Sequence, residues 1–180
     1  MTPANDKRKR LIHAADNLIL QKGFRQTTLA DIASASGVPL GNVYYYFRSK
    51  DAIGDSVISR RLTSLKQLLD DCSNRATPQQ QLLAFLDYPL DIRDTLVNHG
   101  CPLGTLSYEL SRNPPPLEQA ASDMIQTLLD WARERFQLMR AAEADSLALQ
   151  FVCALQGMSL VANSLKQAQV IEAMVPAIRT

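Results

Sequence analysis

From Thr28 to Phe47 the chain reads TLADIASASGVPLGNVYYYF, with a small residue at Ala33, a flexible one at Gly37 and a branched one at Val43. Two helices that cross closely need a small side chain at the crossing, and the turn between them needs a residue that takes a positive φ at little cost. A branched apolar residue then packs the second helix back onto the first. This is the spacing of a helix-turn-helix over residues 28–47, although an ordinary αα-hairpin shows the same three residues; in a helix-turn-helix Leu40 to Tyr46 project outward, as a helix entering a major groove does. The chemistry available there is recognition. Tyrosine hydroxyls bond phosphate oxygens, Asn42 can read an adenine edge, and Leu40 can cover a thymine methyl. Lys50 and the helix N-termini supply affinity for a polyanion that falls with salt.

Several elements must hold these residues. Leu11, Ala14, Ala15, Leu18 and Ile19 recur at helical spacing between Lys7 and Lys22, with Gly23 as the stop. Thr28 with Asp31 three residues on forms a capping-box start for a short second helix, which Gly37 ends. Pro39 can open the third helix. Ser49 is a cap for a long fourth helix, with Asp51 in its first turn and Ile53, Val57, Ile58, Leu62, Leu65, Leu69 and Cys72 inward. Helix continues over residues 79–98, interrupted or kinked at Tyr88-Pro89. A short helix over residues 103–111 follows, then two long ones over 117–139 and 142–167, and an amphipathic piece over 170–178. Three tyrosines in succession cannot share one side of a helix, so one points inward and two outward. Tyr44 and Tyr46 are assigned to the DNA backbone first, and Val43 and Phe47 to the core.

Composition agrees with an all-α fold: 26 Leu and 21 Ala stand against 8 Val and 9 Ile, and only 7 Gly occur in 180 residues. No Gly-rich loop is present to cradle a phosphate, and no cofactor is expected. Cys72, Cys101 and Cys153 lie far apart with no C-x-x-C pair, which fits thiols better than a disulfide framework or a zinc site. No signal-like or membrane-spanning run is apparent, so a cytoplasmic protein without a membrane partner is expected. The net charge of +1 conceals an asymmetry. Residues 1–50 carry eight Lys and Arg against three Asp, a net of +5 that leaves −4 for the remainder. The N-terminal part therefore suits a polyanionic partner.

In the form T-x-x-x-I-A-x-x-A-G-V-x-x-G-x-x-Y-x-x-F-x-x-K, the segment resembles the N-terminal signature of the TetR family of bacterial repressors. It matches at Thr28, Ile32, Ala33, Gly37, Val38, Gly41, Tyr44, Phe47 and Lys50, with Ser36 in place of the usual Ala. The resemblance is dense from Lys7 to Val57. It implies a DNA-binding domain over residues 1–50 and a helical ligand-binding and dimerisation domain over residues 51–180. By the same resemblance, Thr28 caps the positioning helix and touches phosphate. Leu40, Gly41, Asn42, Tyr44 and Tyr45 face a double-stranded operator, Tyr46 stands where many relatives have His, and Lys50 meets phosphate.

A homodimer is a geometric need, because one short recognition helix makes too few contacts for selective binding. Leu117, Met124, Leu128 and Trp131 in one long helix, with Leu147, Phe151, Ala154, Met158 and Val161 in the next, are candidates for a four-helix bundle with the partner, and the alternative is a purely intramolecular core, which many of them serve. Ala148, Ala154 and Gly157 allow close approach. The resemblance places a small-molecule inducer among Leu65, Leu69, Phe85, Tyr88, Leu106 and Trp131, a mostly apolar or aromatic lining. Cys101 lies in a break followed by a helix start, where backbone donors activate a thiol. Its segment G-C-P-L-G-x-L is similar to one in a TetR subgroup, some of whose members respond to electrophiles or oxidants through a cysteine. Two readings of Cys101 stand: a sensor whose modification shifts the hinge and releases DNA, and a small cysteine filling a helix junction.

The expected function is a ligand-responsive repressor, released from a palindromic operator by a small molecule or a thiol-reactive inducer, and no enzyme. An enzyme with Cys101 as nucleophile and His99 as base is the weaker alternative, since side chains two residues apart on an extended or turn segment diverge. A helical adaptor that binds only proteins is the third reading, and it predicts no salt-sensitive DNA affinity.

Overall fold

The computed structural model describes residues 3–179, among which eleven helices and no strands occur. They are α1 (Pro3–Lys22), α2 (Leu29–Ser36), α3 (Leu40–Tyr46), α4 (Lys50–Ser73), α5 (Pro78–Phe85), α6 (Tyr88–Asp91), α7 (Arg93–His99), α8 (Pro102–Leu110), α9 (Leu117–Leu138), α10 (Ala144–Leu165) and α11 (Gln169–Arg179). The Ser49 hydroxyl accepts the Ala52 N–H at the start of α4, and Thr77 accepts the Gln80 N–H to open α5. The single interrupted helix expected over residues 79–98 is three helices. Pro89 sits in the first turn of α6, where its missing N–H costs nothing, so the chain restarts there instead of kinking.

The chain divides into two compact units. One holds the described residues up to Leu62 together with Thr105–Ser122; the other holds Thr63–Gly104 and the described residues from Asp123 onward. The division expected at residue 50 follows chain order, whereas compactness assigns the start of α4, the end of α8 and the start of α9 to the N-terminal unit.

In the N-terminal unit, Leu11, Ala15 and Ile19 of α1, Ile32 of α2, Val43 of α3 and Ile53, Val57 and Ile58 of α4 are buried. A buried guanidinium crosses this core, which it can do only with a carboxylate partner. Arg61 of α4 donates Nε–H to Asp16 of α1 at 2.7 Å, and Arg60 donates to the other oxygen of Asp16 at 3.1 Å. The pair ties α4 to α1 and so fixes the base on which α2 and α3 stand.

In the C-terminal unit, Leu65 and Leu69 of α4, Phe85 of α5, Trp131 of α9 and Phe151 of α10 share one apolar cluster. The Phe85 ring lies 5.7 Å from that of Trp131 and 6.1 Å from that of Phe151, in tilted arrangements that aromatic quadrupoles favour. A polar knot secures the end of α4. Ser73 Oγ accepts from Trp131 Nε1 at 3.1 Å and from Arg135 at 2.7 Å, while the Gln81 amide donates to the carbonyls of Ser73 and Arg75.

For most of the candidate bundle residues the intramolecular alternative holds. Leu117, Met124, Leu128, Trp131, Phe151 and Met158 are buried within the single chain, and of the residues named for the bundle only Val161 is exposed. The outward face of α10 carries Leu149, Cys153 and Leu160, and a Cβ added at Gly157 on that face would meet nothing within 4 Å. Because α10 is apolar on both sides, it is long and apolar enough to cross a membrane by length and composition, although only 33% of the qualifying stretch is buried. A 3.6-residue period cannot tell the inner stripe from the outer one on such a helix.

Candidate nucleic-acid interface

Local rules place each part of the recognition surface. Thr28 Oγ1 accepts the Asp31 N–H at 3.1 Å and Asp31 Oδ2 accepts the Thr28 N–H at 2.9 Å, so two orphan donors at the start of α2 are satisfied reciprocally. Lys22 adds an ion pair to the same carboxylate oxygen at 2.7 Å. That ammonium, with the Thr28 donors, holds the Asp31 carboxyl well below its ordinary value. Gly37 closes α2 at φ 64° and ψ 24°, with open space where a Cβ would be. Conformation, not crowding, demands glycine there.

Ser36 explains its own departure from the family pattern. The buried hydroxyl donates to the Ala33 carbonyl and accepts the Val38 N–H. Both capacities of the extra oxygen are used inside the turn, so its burial leaves no unmet hydrogen bond.

On α3, Val43 and, just after the helix, Phe47 are buried as expected. Leu40, Gly41, Asn42, Tyr44 and Tyr45 are exposed, and the space beside Gly41 is open. Tyr45 is the most exposed of the three tyrosines at 81%, Tyr44 follows at 55%, and Tyr46 is half-buried with its ring edge-on to Tyr45 at 5.1 Å. The inward member of the trio is thus Tyr46, which the order of assignment to DNA had ranked above Tyr45. Helix phase explains it: Tyr46 follows Val43 by three positions and leans toward the same side.

Lys50 is turned inward to its own chain. Its ammonium donates to the Arg25 carbonyl at 2.9 Å and lies 4.6 Å from the centroid of the Phe24 ring. Desolvation pushes its pKa below the ordinary lysine value, and the charges of Glu109 and Asp51 oppose that shift. Arg25 and Arg48 are the exposed cations flanking the motif. Neither stood out in the sequence, because an exposed Arg carries no periodic or motif signal. Glu109 was missed as well: it lies 85 residues from Phe24 in the chain and accepts that residue's N–H.

Among the residues expected to line an inducer site, Leu65, Leu69, Phe85 and Trp131 meet in the C-terminal cluster, with Cys101 packed against it. Tyr88 stacks on Phe85 at 6.2 Å. Leu106 is buried but belongs to the N-terminal unit. Trp131 has its indole N–H committed to Ser73 and its ring covered by Arg135 at 4.8 Å. Cys101 Sγ caps α8 by accepting the Gly104 N–H at 3.4 Å and also meets the Gln156 amide at 3.5 Å.

A surface with buried apolar anchors, an exposed amide, exposed tyrosines and flanking cations suits groove and phosphate contacts. Residues 11–57 match the family described as bacterial regulatory proteins, tetR family. The chain is 30% identical over 109 residues to the HTH-type transcriptional repressor NemR of Escherichia coli, covering 59% of this chain and 53% of NemR. It is 27% identical over 169 residues to the repressor BepR of Brucella suis, covering 86% and 78%. The matched stretch thus spans about half the length of NemR. Among solved structures, a TetR regulator from Chloroflexus aurantiacus superposes with a TM-score of 0.87 at 22% identity, covering 99% of this chain and 95% of that one. The reduced form of E. coli NemR gives 0.82 at 22% identity, covering 96% and 95%.

Proposed function

We propose that the chain, whose residues 11–57 match the tetR family of bacterial regulatory proteins, is a ligand-responsive transcriptional repressor of that family that works in the cytoplasm as a homodimer on a palindromic operator. One observation carries this reading: α3 buries Val43 while holding Leu40, Asn42, Tyr44 and Tyr45 outward beside exposed arginines. Asn42 and Leu40 read base edges. Tyr44, Tyr45 and the hydroxyl of Thr28 meet phosphates, with Tyr46 supporting Tyr45 from behind. Lys50 shapes the surface through Arg25.

Two copies associate through the outer faces of α10, where Leu149, Cys153 and Leu160 are exposed and Gly157 lets backbones approach. Two heads then read two half-sites. Inducers act on the C-terminal unit. An apolar or aromatic molecule would take a place beside Phe85 and Tyr88, and a thiol-reactive one would modify Cys101 and remove the sulfur that caps α8. Either favours a state in which operator affinity drops by the coupling free energy, about 1 to 3 kcal/mol.

Footprinting on the DNA upstream of its own gene tests the reading. A protected stretch with two-fold symmetry is expected, as is its loss when a thiol-alkylating reagent is added to the wild type but not to Cys101→Ser. Uniform, sequence-independent protection would contradict the repressor reading. Release that survives Cys101→Ser would remove the thiol from it.

A further inference from the structure

The turn that joins α1 to α2 is gripped from two sides. On one side, the Glu109 carboxylate accepts the Phe24 N–H at 2.7 Å and the Arg25 N–H at 2.6 Å, one bond to each oxygen. Successive backbone N–H groups that converge in this way form an anion-binding concavity, and Gly23 at φ +85° creates it. A Cβ at Gly23 would lie 3.0 Å from a Glu109 oxygen, so glycine also leaves the room in which the carboxylate sits. On the other side, Lys50 donates to the Arg25 carbonyl and covers the Phe24 ring. Bonds from neutral N–H groups to an ionised acceptor are shorter and stronger than neutral pairs, which suits a carboxylate to holding a turn that has no helix of its own.

Glu109 does not belong to the helix-turn-helix. It stands one residue before the end of α8, a helix that begins at Pro102 in the C-terminal unit and ends in the N-terminal one. At the other end of α8, the Gly104 N–H is held by Cys101 and the space beside Gly104 is filled by the Gln156 amide. Within the N-terminal unit, the last turn of α8 is therefore bonded to the turn that leads into Thr28 and α2.

We propose that Glu109 is a positioning residue for DNA recognition: its carboxylate latches the Phe24-Arg25 turn, and the latched turn places α2 and α3 for the operator. The inference rests on the DNA-binding reading above and adds a residue from outside the helix-turn-helix that positions it. With the latch closed, the entry to α2 has one position and the recognition surface is preorganised. With the latch open, phosphate contacts persist but the registry of Asn42 and Leu40 with base edges is lost. Specific affinity then falls further than non-specific affinity.

The test uses the full-length protein and two duplexes, one selected by the wild type from a random-sequence pool and one scrambled. Glu109→Ala, and separately Gly23→Ala, should lower the ratio of specific to scrambled affinity roughly tenfold, within the range of coupling between sites. Glu109→Gln keeps one acceptor oxygen and should recover part of that ratio. Amide hydrogen exchange at Phe24 and Arg25 should accelerate in Glu109→Ala while Ile32 and Val43 stay protected. An unchanged affinity ratio in a folded Glu109→Ala variant overturns the proposal, as does unchanged exchange at its Phe24 and Arg25. Failure of the wild type to prefer its selected duplex would instead overturn the DNA-binding reading and the proposal with it, while the exchange data would still report whether the latch exists.

Discussion

Lys50 donates its ammonium to the carbonyl oxygen of Arg25, 2.9 Å away, and thereby joins the first residue of α4 to the turn before α2. A cation engaged in this way stabilises the head more than it neutralises DNA. Lys50→Met should lower unfolding free energy by about 1.5 to 3 kcal/mol, the value of a hydrogen bond from a charged group. It should leave the salt dependence of DNA binding unchanged. Arg48→Ala should do the reverse, reducing the slope of log affinity against log salt by about 0.9 with little effect on stability. Urea denaturation and binding isotherms at several salt concentrations check both.

Val43 and Tyr45 are two positions apart on α3 and face opposite surroundings. Val43→Ala removes buried methyl groups from a packed contact and should cost about 1 to 3 kcal/mol. Tyr45→Ala exposes nothing new and should change stability by less than about 0.5 kcal/mol. Thermal melts of the two variants distinguish a core residue from a presented one.

Asp31 gives the head a pH signature. Its carboxyl is held below the ordinary value of 3.8 first by Lys22 and then by the Thr28 donors. A depressed carboxylate adds stability above its unfolded value, and that stability is lost as pH falls toward the folded one. The stability difference between wild type and Asp31→Asn should be constant near neutral pH and shrink below 3.8. Urea unfolding across that range measures it.

Much of this was legible in the sequence because short-range rules fixed it. The Thr28 and Asp31 capping box, the left-handed Gly37 and the buried Val43 each follow from residues within four positions. The rest depended on partners distant in sequence. Lys50 read as a phosphate contact until the Arg25 carbonyl and the Phe24 ring were seen beside it, and Glu109 had no local signal at all. Trp131 and Phe151 stood open between interface and core because an apolar stripe does not say which chain it packs against. Tyr45 and Tyr46 exchanged their expected exposure, since helix phase over three consecutive rings depends on where α3 begins.

Leu160 is 67% exposed on the outer face of α10. Leu160→Asp places a charge where the second copy is expected and gives up little burial within the chain. Sedimentation should show the wild type as a dimer and this variant as a folded monomer, with circular dichroism unchanged. The variant should also lose preference for a two-fold operator over a single half-site, because only linked heads gain from the second site.

The account turns on the surface of α3, and competition binding of the double variant Tyr44→Ala with Tyr45→Ala reads it most directly. Affinity for the duplex selected by the wild type should fall by about 2 kcal/mol or more, as two hydrogen bonds to charged phosphate are lost, while the melting temperature and dimer mass hold. A folded, dimeric double variant that binds the selected duplex as tightly as the wild type would show that α3 does not meet DNA.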